Sequence, residues 1–269
     1  VSAEADTTAR LIAGALSASS SKVGVGLTVA SIANSDQVLA ELADNVQLNA
    51  GGKYTQNAVT STDFLAVTIA ASVTTSGTGV GGVIDAIVMD NHVSSTVGAS
   101  ALITVGSDIT ILASAKANLL LAALSFAGSG SSTAVGGTLA VVVTNTITLA
   151  EVKNAAHLTS TNGAISVRAL SEDEFINVLA AASVSGGGTA VAGTLGVLIA
   201  LNQTSAKIDD GAVLTGKNDV SLLSSGKTWM LVLGMSLSAA SQNAVGATIS
   251  VCVFQRNIKA LVGASAKLI

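Results

Sequence analysis

The sequence predicts an all-β fold, a β-solenoid in which about five units of some 56 residues stack on one another. Three observations predict it. An apolar segment recurs at a nearly constant spacing, and apolar residues alternate with other residues inside each segment. The chain also contains 27 glycines and no proline, as expected if interior strands donate every backbone N–H to a neighbour.

The repeat is clearest in one segment that occurs several times. TAVAGTLGVLIALN at 189–202 matches TAVGGTLAVVVTNT at 133–146, which starts 56 residues earlier, and NAVGATISVCVFQR at 243–256, which starts 54 residues later. With Asn202 as the marker, we place the equivalent position of the first unit at Asn34. The chain is therefore predicted to be a single repetitive domain, 1–269, with units at about 1–50, 51–105, 106–161, 162–217 and 218–269.

The fourth unit shows the predicted elements in order. They are a short strand at 164–169, a polar turn SEDE at 171–174, an apolar run at 175–185, a glycine turn at 186–188 and the recurring strand at 189–202. Alanine in the apolar run allows a helix as the competing assignment, and a helical turn near Glu4 to Leu16 is a further alternative. Glycine pairs and the density of threonine and valine favour strands.

Side-chain alternation divides the recurring strand into two faces. Leu195, Val197 and Ile199 share one face, and their counterparts in the other units are nearly all apolar. The other face, with Thr194 and Gly196, is smaller or mixed. We expect the larger face to form the buried columns, so that Val197→Asp would disrupt folding by burying a charge.

The path of the chain within a unit has two solutions. Each unit forms either two coils of about 28 residues or one shorter coil that carries a long flanking hairpin, FINVLAAASVSGGGTAVAGTLGVLIAL. Glycine-rich links commonly close hairpins, which slightly favours the second. A β-sandwich or β-prism of five modules is the alternative fold.

Two segments resemble the coil repeats of filamentous-haemagglutinin-like bacterial surface proteins: AKIDDGAVLTGKNDVSLL at 206–223 and AEVKNAAHLTSTNGAISVRA at 150–169. The intervening SVSGGGTAVAGTLGV is similar to segments of leukotoxin-type filamentous adhesins and other giant repetitive bacterial exoproteins. The resemblance covers nearly all of the chain. It implies a right-handed parallel β-helix in an elongated, secreted or surface-anchored structural or adhesive protein without catalytic residues.

Composition excludes several other classes. A net charge of −4 with scattered Lys and Arg argues against nucleic acid. No long uninterrupted apolar run and only 2% aromatic residues argue against a membrane-spanning protein. The single Cys252 excludes an internal disulfide or a cysteine-based zinc site. Because no leader precedes Val1, we expect a processed product or a piece of a longer protein.

The sequence predicts no catalytic, cofactor-binding or metal-binding residues. His92 and His157 occupy different unit positions, and the acidic SEDE at 171–174 and DDG at 209–211 do not recur from unit to unit, so a solvated turn is favoured over a Ca²⁺ site. GVGG at 79–82 and GSGSS at 128–132 lack a following Lys and are interpreted as corners.

Cys252 and a threonine-rich segment are two further features that we interpret as structural. Cys252 is expected to pack as a small apolar residue. TNTIT at 144–148 is not echoed in other units, so no ice-binding threonine lattice is predicted.

We therefore expect a structural rod segment of an extracellular bacterial fibre or filamentous adhesin, secreted or at the cell surface, and not an enzyme. Its partners would be itself, by axial stacking, or neighbouring repeats of a larger parent chain, and a host or cell-surface ligand. The alternative is a self-assembling head-to-tail filament subunit with unpaired end strands. Two others are a glycan-binding module using Trp229 and Tyr54, and a polysaccharide-degrading β-helix enzyme, although Arg10, Arg168 and Arg256 are the only arginines.

Overall fold

A computed structural model describes residues 1–20 and 22–269. Within these ranges the chain forms fifteen β-strands and no helix. The strands build three five-stranded sheets in which all neighbours run parallel. The predicted all-β, parallel solenoid of about five units is therefore confirmed, and the antiparallel sandwich or prism is wrong.

Two long sheets and one short sheet make up the molecule. The first long sheet contains β1 (Ser2–Ser19), β4 (Tyr54–Thr74), β7 (Ile109–Ser129), β10 (Ile165–Ser185) and β13 (Val220–Ala240). The second long sheet contains β2 (Val23–Leu42), β5 (Thr78–Val97), β8 (Ala134–Val152), β11 (Thr189–Ile208) and β14 (Asn243–Val262). The short sheet contains β3 (Gln47–Ala50), β6 (Leu102–Val105), β9 (His157–Ser160), β12 (Val213–Gly216) and β15 (Lys267–Leu268).

Each unit makes one complete coil, with one strand in each of the three sheets. Both arrangements left open by the sequence are therefore wrong. β10 and β11 are joined by the glycine turn, but they do not pair with each other. β10 pairs with β7 and β13, and β11 pairs with β8 and β14. The apolar segment is an arch between two stacked sheets, because the strands one unit away occupy the hydrogen-bonding edges that a hairpin would need.

Equivalent residues stack in register from coil to coil. Leu195 lies beside Leu139 and Ile249, as the repeat predicted. In the first unit the predicted alignment is wrong by two residues, since Val29 and not Leu27 lies beside Ile84. The same shift puts Asp36, rather than Asn34, in the column of Asn202. The error moves no side chain to the other face, because a strand repeats every two residues.

The polar segment SEDE is not a turn. It lies inside the continuous strand β10, and the apolar run that follows it belongs to the same strand rather than to a helix. Ser171 and Asp173 point into the molecule, whereas Glu172 and Glu174 point outward. The segment Glu4 to Leu16 is likewise a strand and not a helical turn. In both places alternation outweighs the local preference of alanine-rich sequence for helix.

The structure reverses the predicted faces of the recurring strand, β11, and its counterparts. Thr194 and Leu198 are buried between the two long sheets, whereas Leu195 points outward and is exposed. Val197 shares that outer face, so an aspartate there would point away from the core. The expectation that this face forms the buried columns is wrong.

Close approach of the two long sheets explains the reversal. A Cβ on Gly26, Gly81 or Gly136 would lie 2.3, 2.1 and 2.6 Å from a backbone carbonyl oxygen of the facing sheet. We call these three residues the glycine seam. Thr28, Thr138 and Thr194 stack in one column of the second long sheet and donate hydroxyl hydrogen bonds of 2.7 to 2.9 Å to carbonyls of the first. Backbones in such contact leave room only for small inner side chains.

Away from the seam, larger side chains fill two apolar cores. One lies between the long sheets, where Phe64, Leu119 and Phe175 form a stacked column. The other lies where the short sheet closes the coil, and Ile103, Leu158 and Leu214 stack there. Stacking like on like buries each apolar row against the coil above and below, which no single coil can do.

A polar belt separates the two apolar cores. It consists of nine buried residues that face one another across the long sheets: Thr60, Thr62, Asn91, Thr146, Thr148, Ser171, Asp173, Asn202 and Thr204. Asn202 Nδ2 donates to Asp173 Oδ2 at 2.6 Å. Ser171 and Thr204 hydroxyls lie 2.8 Å apart. These hydrogen bonds link the two long sheets, whereas the buried Thr60 and Thr148 hydroxyls have no partner.

At one corner of every coil, a residue adopts the left-handed backbone conformation. The backbone φ angle is positive at Asn45, Ser100, Ala155, Gly211 and Ser265, between 53° and 69°. Glycine adopts such angles most readily, but three of the five residues are serine or alanine. The in-register stack holds these residues in a conformation that costs L side chains free energy.

Candidate interaction surfaces

The residues considered for chemistry do not come together in the structure. His92 lies on β5 of the second long sheet, whereas the exposed His157 begins β9 of the short sheet, beside Val213. Arg10, Arg168 and Arg256 lie in three different columns. Among residues 1–20 and 22–269, no group of three or more His, Cys, Asp and Glu side chains is placed to hold a metal ion.

The acidic segments have structural contacts instead of a shared site. The carboxylates of SEDE alternate between opposite faces of β10, so they cannot surround one ion. Asp209 lies 2.6 Å from Lys207 Nζ, which also lies 3.1 Å from Glu151 of the preceding coil. The Asp209 hydrogen bond is the main cause that raises the pKa of Lys207. Asp210 Oδ1 accepts a hydrogen bond of 2.7 Å from the Ala264 N–H of the next coil.

Asp44 is the counterpart of Asp210 at the same corner of another coil, and Asp108 makes a similar contact at the corner between β6 and β7. Asp44 Oδ1 accepts from the Ala99 N–H at 2.7 Å, and Asp108 Oδ1 accepts from the Ala164 N–H at 2.8 Å. In each case a corner carboxylate bonds to the backbone of the coil that follows. These side chains tie corners together along the stack.

Glycine, threonine and cysteine motifs also take structural positions. GVGG at 79–82 lies within β5 and is not a corner, whereas GSGSS at 128–132 spans the end of β7 and the arch turn. Thr144, Thr146 and Thr148 point inward and are buried. Cys252 takes the inner column of Leu198 but is exposed on β14, so the expectation that it packs as an apolar residue is wrong.

Trp229 lies on the outer face of the first long sheet, with 51% of its surface exposed. Its column contains Glu174, Asn118 and Asp63. With Lys227 it borders a shallow cavity of about 190 Å³. An exposed indole beside amide and carboxylate groups has the composition of a sugar-binding platform, with an apolar body and polar neighbours.

Tyr54 does not belong to that surface. Only 6% of the residue is exposed, and its hydroxyl donates to Gln56 Oε1 at 2.6 Å. Burial raises the pKa of Tyr54 to about 12. The interpretation of Tyr54 as an exposed ligand-binding residue is therefore wrong, whereas that of Trp229 stays a prediction.

A large apolar surface covers the outer side of the second long sheet. It comprises five adjacent columns from Val25 to Ala33 in β2 and their partners in β5, β8, β11 and β14, and Ser31 is its single polar member. We call it the apolar face. In interior coils of the stack Ile84 is 45% and Leu195 40% exposed. Towards the short sheet it ends at a polar column, in which Asn145 Nδ2 donates to Asp90 Oδ1 at 2.9 Å.

The strands at the two ends of the stack form the remaining surface. β1, β2 and β3 have no partner on one side, and β13, β14 and β15 have none on the other. Because all ladders are parallel and in register, each end of the stack presents one edge strand from each of the three sheets in the same arrangement. Such edges are templates for a further coil.

Comparison of the chain with known proteins found no matching protein family, no matching curated protein and no matching solved structure. No helix long and apolar enough to cross a membrane occurs in the part of the chain that the structure describes.

Proposed function

We propose that this chain is a structural rod segment of an extracellular bacterial fibre or filamentous adhesin, secreted or held at the cell surface. Its function is mechanical, and we propose that it performs no catalysis. The observation that carries the proposal is the uninterrupted, in-register parallel pairing of five coils in all three sheets. Columns of like side chains make each coil equivalent to the next, so length can be extended without changing the cross-section.

The rod is tested by imaging and fibre diffraction of the purified chain. We expect elongated particles and a reflection at about 4.8 Å along the long axis, which is the spacing of adjacent strands. Compact particles without this axial spacing would contradict the proposal. Surface location is tested separately, by labelling intact cells of the source organism with antibodies against the chain, which should bind without permeabilisation.

A head-to-tail filament subunit is the second candidate, and the matching end strands support it. The Val1 carbonyl accepts a hydrogen bond from the Asn57 N–H in β4. Alternate residues of a parallel strand face opposite neighbours. The N–H groups of even-numbered residues in β1, such as Glu4, therefore point to the free side, where a further coil would bind.

Proline at this edge tests the filament directly. Glu4→Pro removes only an N–H that points away from β4, and proline is tolerated on edge strands. We expect the variant to fold normally and the mean filament length in negative-stain images to fall severalfold, because every head-to-tail joint uses one β1 edge. The control Ala5→Pro removes an N–H that faces β4 and should lower the melting temperature. Unchanged filament length in Glu4→Pro would refute axial stacking through this edge.

A further inference from the structure

The apolar face contains a groove that runs along the stack. Gly82, Gly137 and Gly193 form its floor, with Leu27 at one end. A column of valines lies on one side: Val25, Val80, Val135, Val191 and Val245. On the other side is a larger ridge: Val29, Ile84, Leu139, Leu195 and Ile249. The groove encloses about 440 Å³.

Packing within the chain accounts for glycine at Gly82, where a Cβ would meet Leu27 Cδ2 at 2.6 Å, but not at the other two floor positions. A Cβ on Gly137 or Gly193 would meet nothing within 4 Å, and neither residue has a positive φ angle. The neighbouring Gly136 points inward, where a Cβ would meet a backbone oxygen at 2.6 Å. Glycine within a strand weakens it and often marks the close approach of another group. Packing within one chain thus explains Gly136 but not Gly137.

We propose that the apolar face is a lateral interface between two copies of this chain, with the ridge of each copy in the groove of the other. Ridge and groove are adjacent columns. Consider a two-fold axis parallel to the stack that lies in the plane between the facing sheets, midway between the two columns. This axis places the ridge of each copy in the groove of the other at the same time. Such a self-complementary patch is what a two-fold dimer needs.

The size and the spacing of the face fit a second copy. Five strands about 4.8 Å apart and nine residues of about 3.3 Å each give a face of about 700 Å² per copy. A standard stable interface buries roughly 800 Å² per partner. The side chains of the ridge and the hollows of the groove repeat at the strand spacing. A second copy of the chain has the same spacing, whereas a disordered partner has none.

A lipid surface is the less favoured occupant. Lipid chains have no fixed repeat and gain nothing from a glycine groove. The border of the face carries Asp90 and Asn145 rather than the basic and aromatic residues that anchor proteins at membrane interfaces.

The interface is tested in the full chain carrying Glu4→Pro, at concentrations at which negative-stain images show no remaining head-to-tail filaments. By sedimentation velocity we expect two-chain particles, and Leu139→Lys with Leu195→Lys should lower the association constant at least tenfold. Gly137→Val with Gly193→Val fills the groove and should weaken pairing as much, without lowering the melting temperature, because valine favours strands. The matched control, Ile147→Lys with Gln203→Lys, lies on the same outer side beyond the apolar face and should pair like its parent.

Several outcomes would overturn the proposal. One is a single-chain particle at every concentration, and another is equal loss of pairing in the control. A third is a single chain that floats with neutral phosphatidylcholine vesicles and loses this in the Leu139→Lys, Leu195→Lys variant, which would assign the face to lipid. Filament width in the unmodified chain gives an independent measurement, since pairing predicts doubled rods. Single-width rods would refute pairing while leaving the rod function intact.

Discussion

Replacement of Gly136 by valine is expected to lower the free energy of unfolding by about 3 kcal/mol or more. Its Cβ would lie 2.6 Å from the Ala182 carbonyl oxygen of the facing long sheet. A backbone atom in a ladder that is paired on both sides cannot move away as a side chain could, so the two sheets must separate. Chemical denaturation followed by circular dichroism measures the effect.

The adjacent residue provides the control. Gly137 lies on the same strand, and its Cβ would point into open space on the outer face. Gly137→Val makes the same chemical change one residue away and is expected to leave stability equal or slightly raised, because β-branched residues favour strands. Similar losses in both variants would mean that the glycine seam does not decide which residues face inward.

Asp173→Asn is expected to stabilise the fold at neutral pH and to reduce its pH dependence. Desolvation by burial raises the pKa of Asp173 to about 6, and hydrogen bonds from Asn202 and Thr228 oppose the shift. Because the folded-state pKa lies above the ordinary aspartate value of 3.8, the folded state favours the protonated acid. This contribution is fully present below about pH 4 and is lost as the pH rises through about 6, a difference of about 3 kcal/mol.

The measurement is the free energy of unfolding between pH 4 and pH 8. The parent should lose stability as the pH rises over this range, and Asp173→Asn should lose less. Burial also raises the pKa of Asp85, which accepts a hydrogen bond of 2.5 Å from Thr68, so Asp85→Asn should remove part of the remaining slope. Asp63→Asn makes the same charge change on the exposed side of β4 and serves as control. A parent whose stability rises with pH would contradict the burial of Asp173 as described.

The interaction surfaces were only partly predictable. The sequence correctly predicted that Trp229 is exposed, but it wrongly predicted the same of Tyr54. Nothing in the sequence indicates that the Tyr54 hydroxyl donates a hydrogen bond to the side-chain amide oxygen of Gln56. The groove on the apolar face was not predicted, although Gly82, Gly137 and Gly193 recur at the period of the repeat. A glycine column on the larger face of a strand is the pattern that would have indicated it.

The linear sequence alone determined the repeat: its period, its β-strand character, and the stacking of like residues such as Leu139 and Leu195. The repetition predicts this stacking because equivalent segments can bury their apolar rows only against one another. Tertiary structure decided which side of each long strand is inside and how one unit closes into one coil. Alternation distinguishes two faces without saying which is buried. At the glycine seam, contact between the backbones of the facing sheets places glycine inward and leaves larger residues such as Val191 and Leu195 on the outer face.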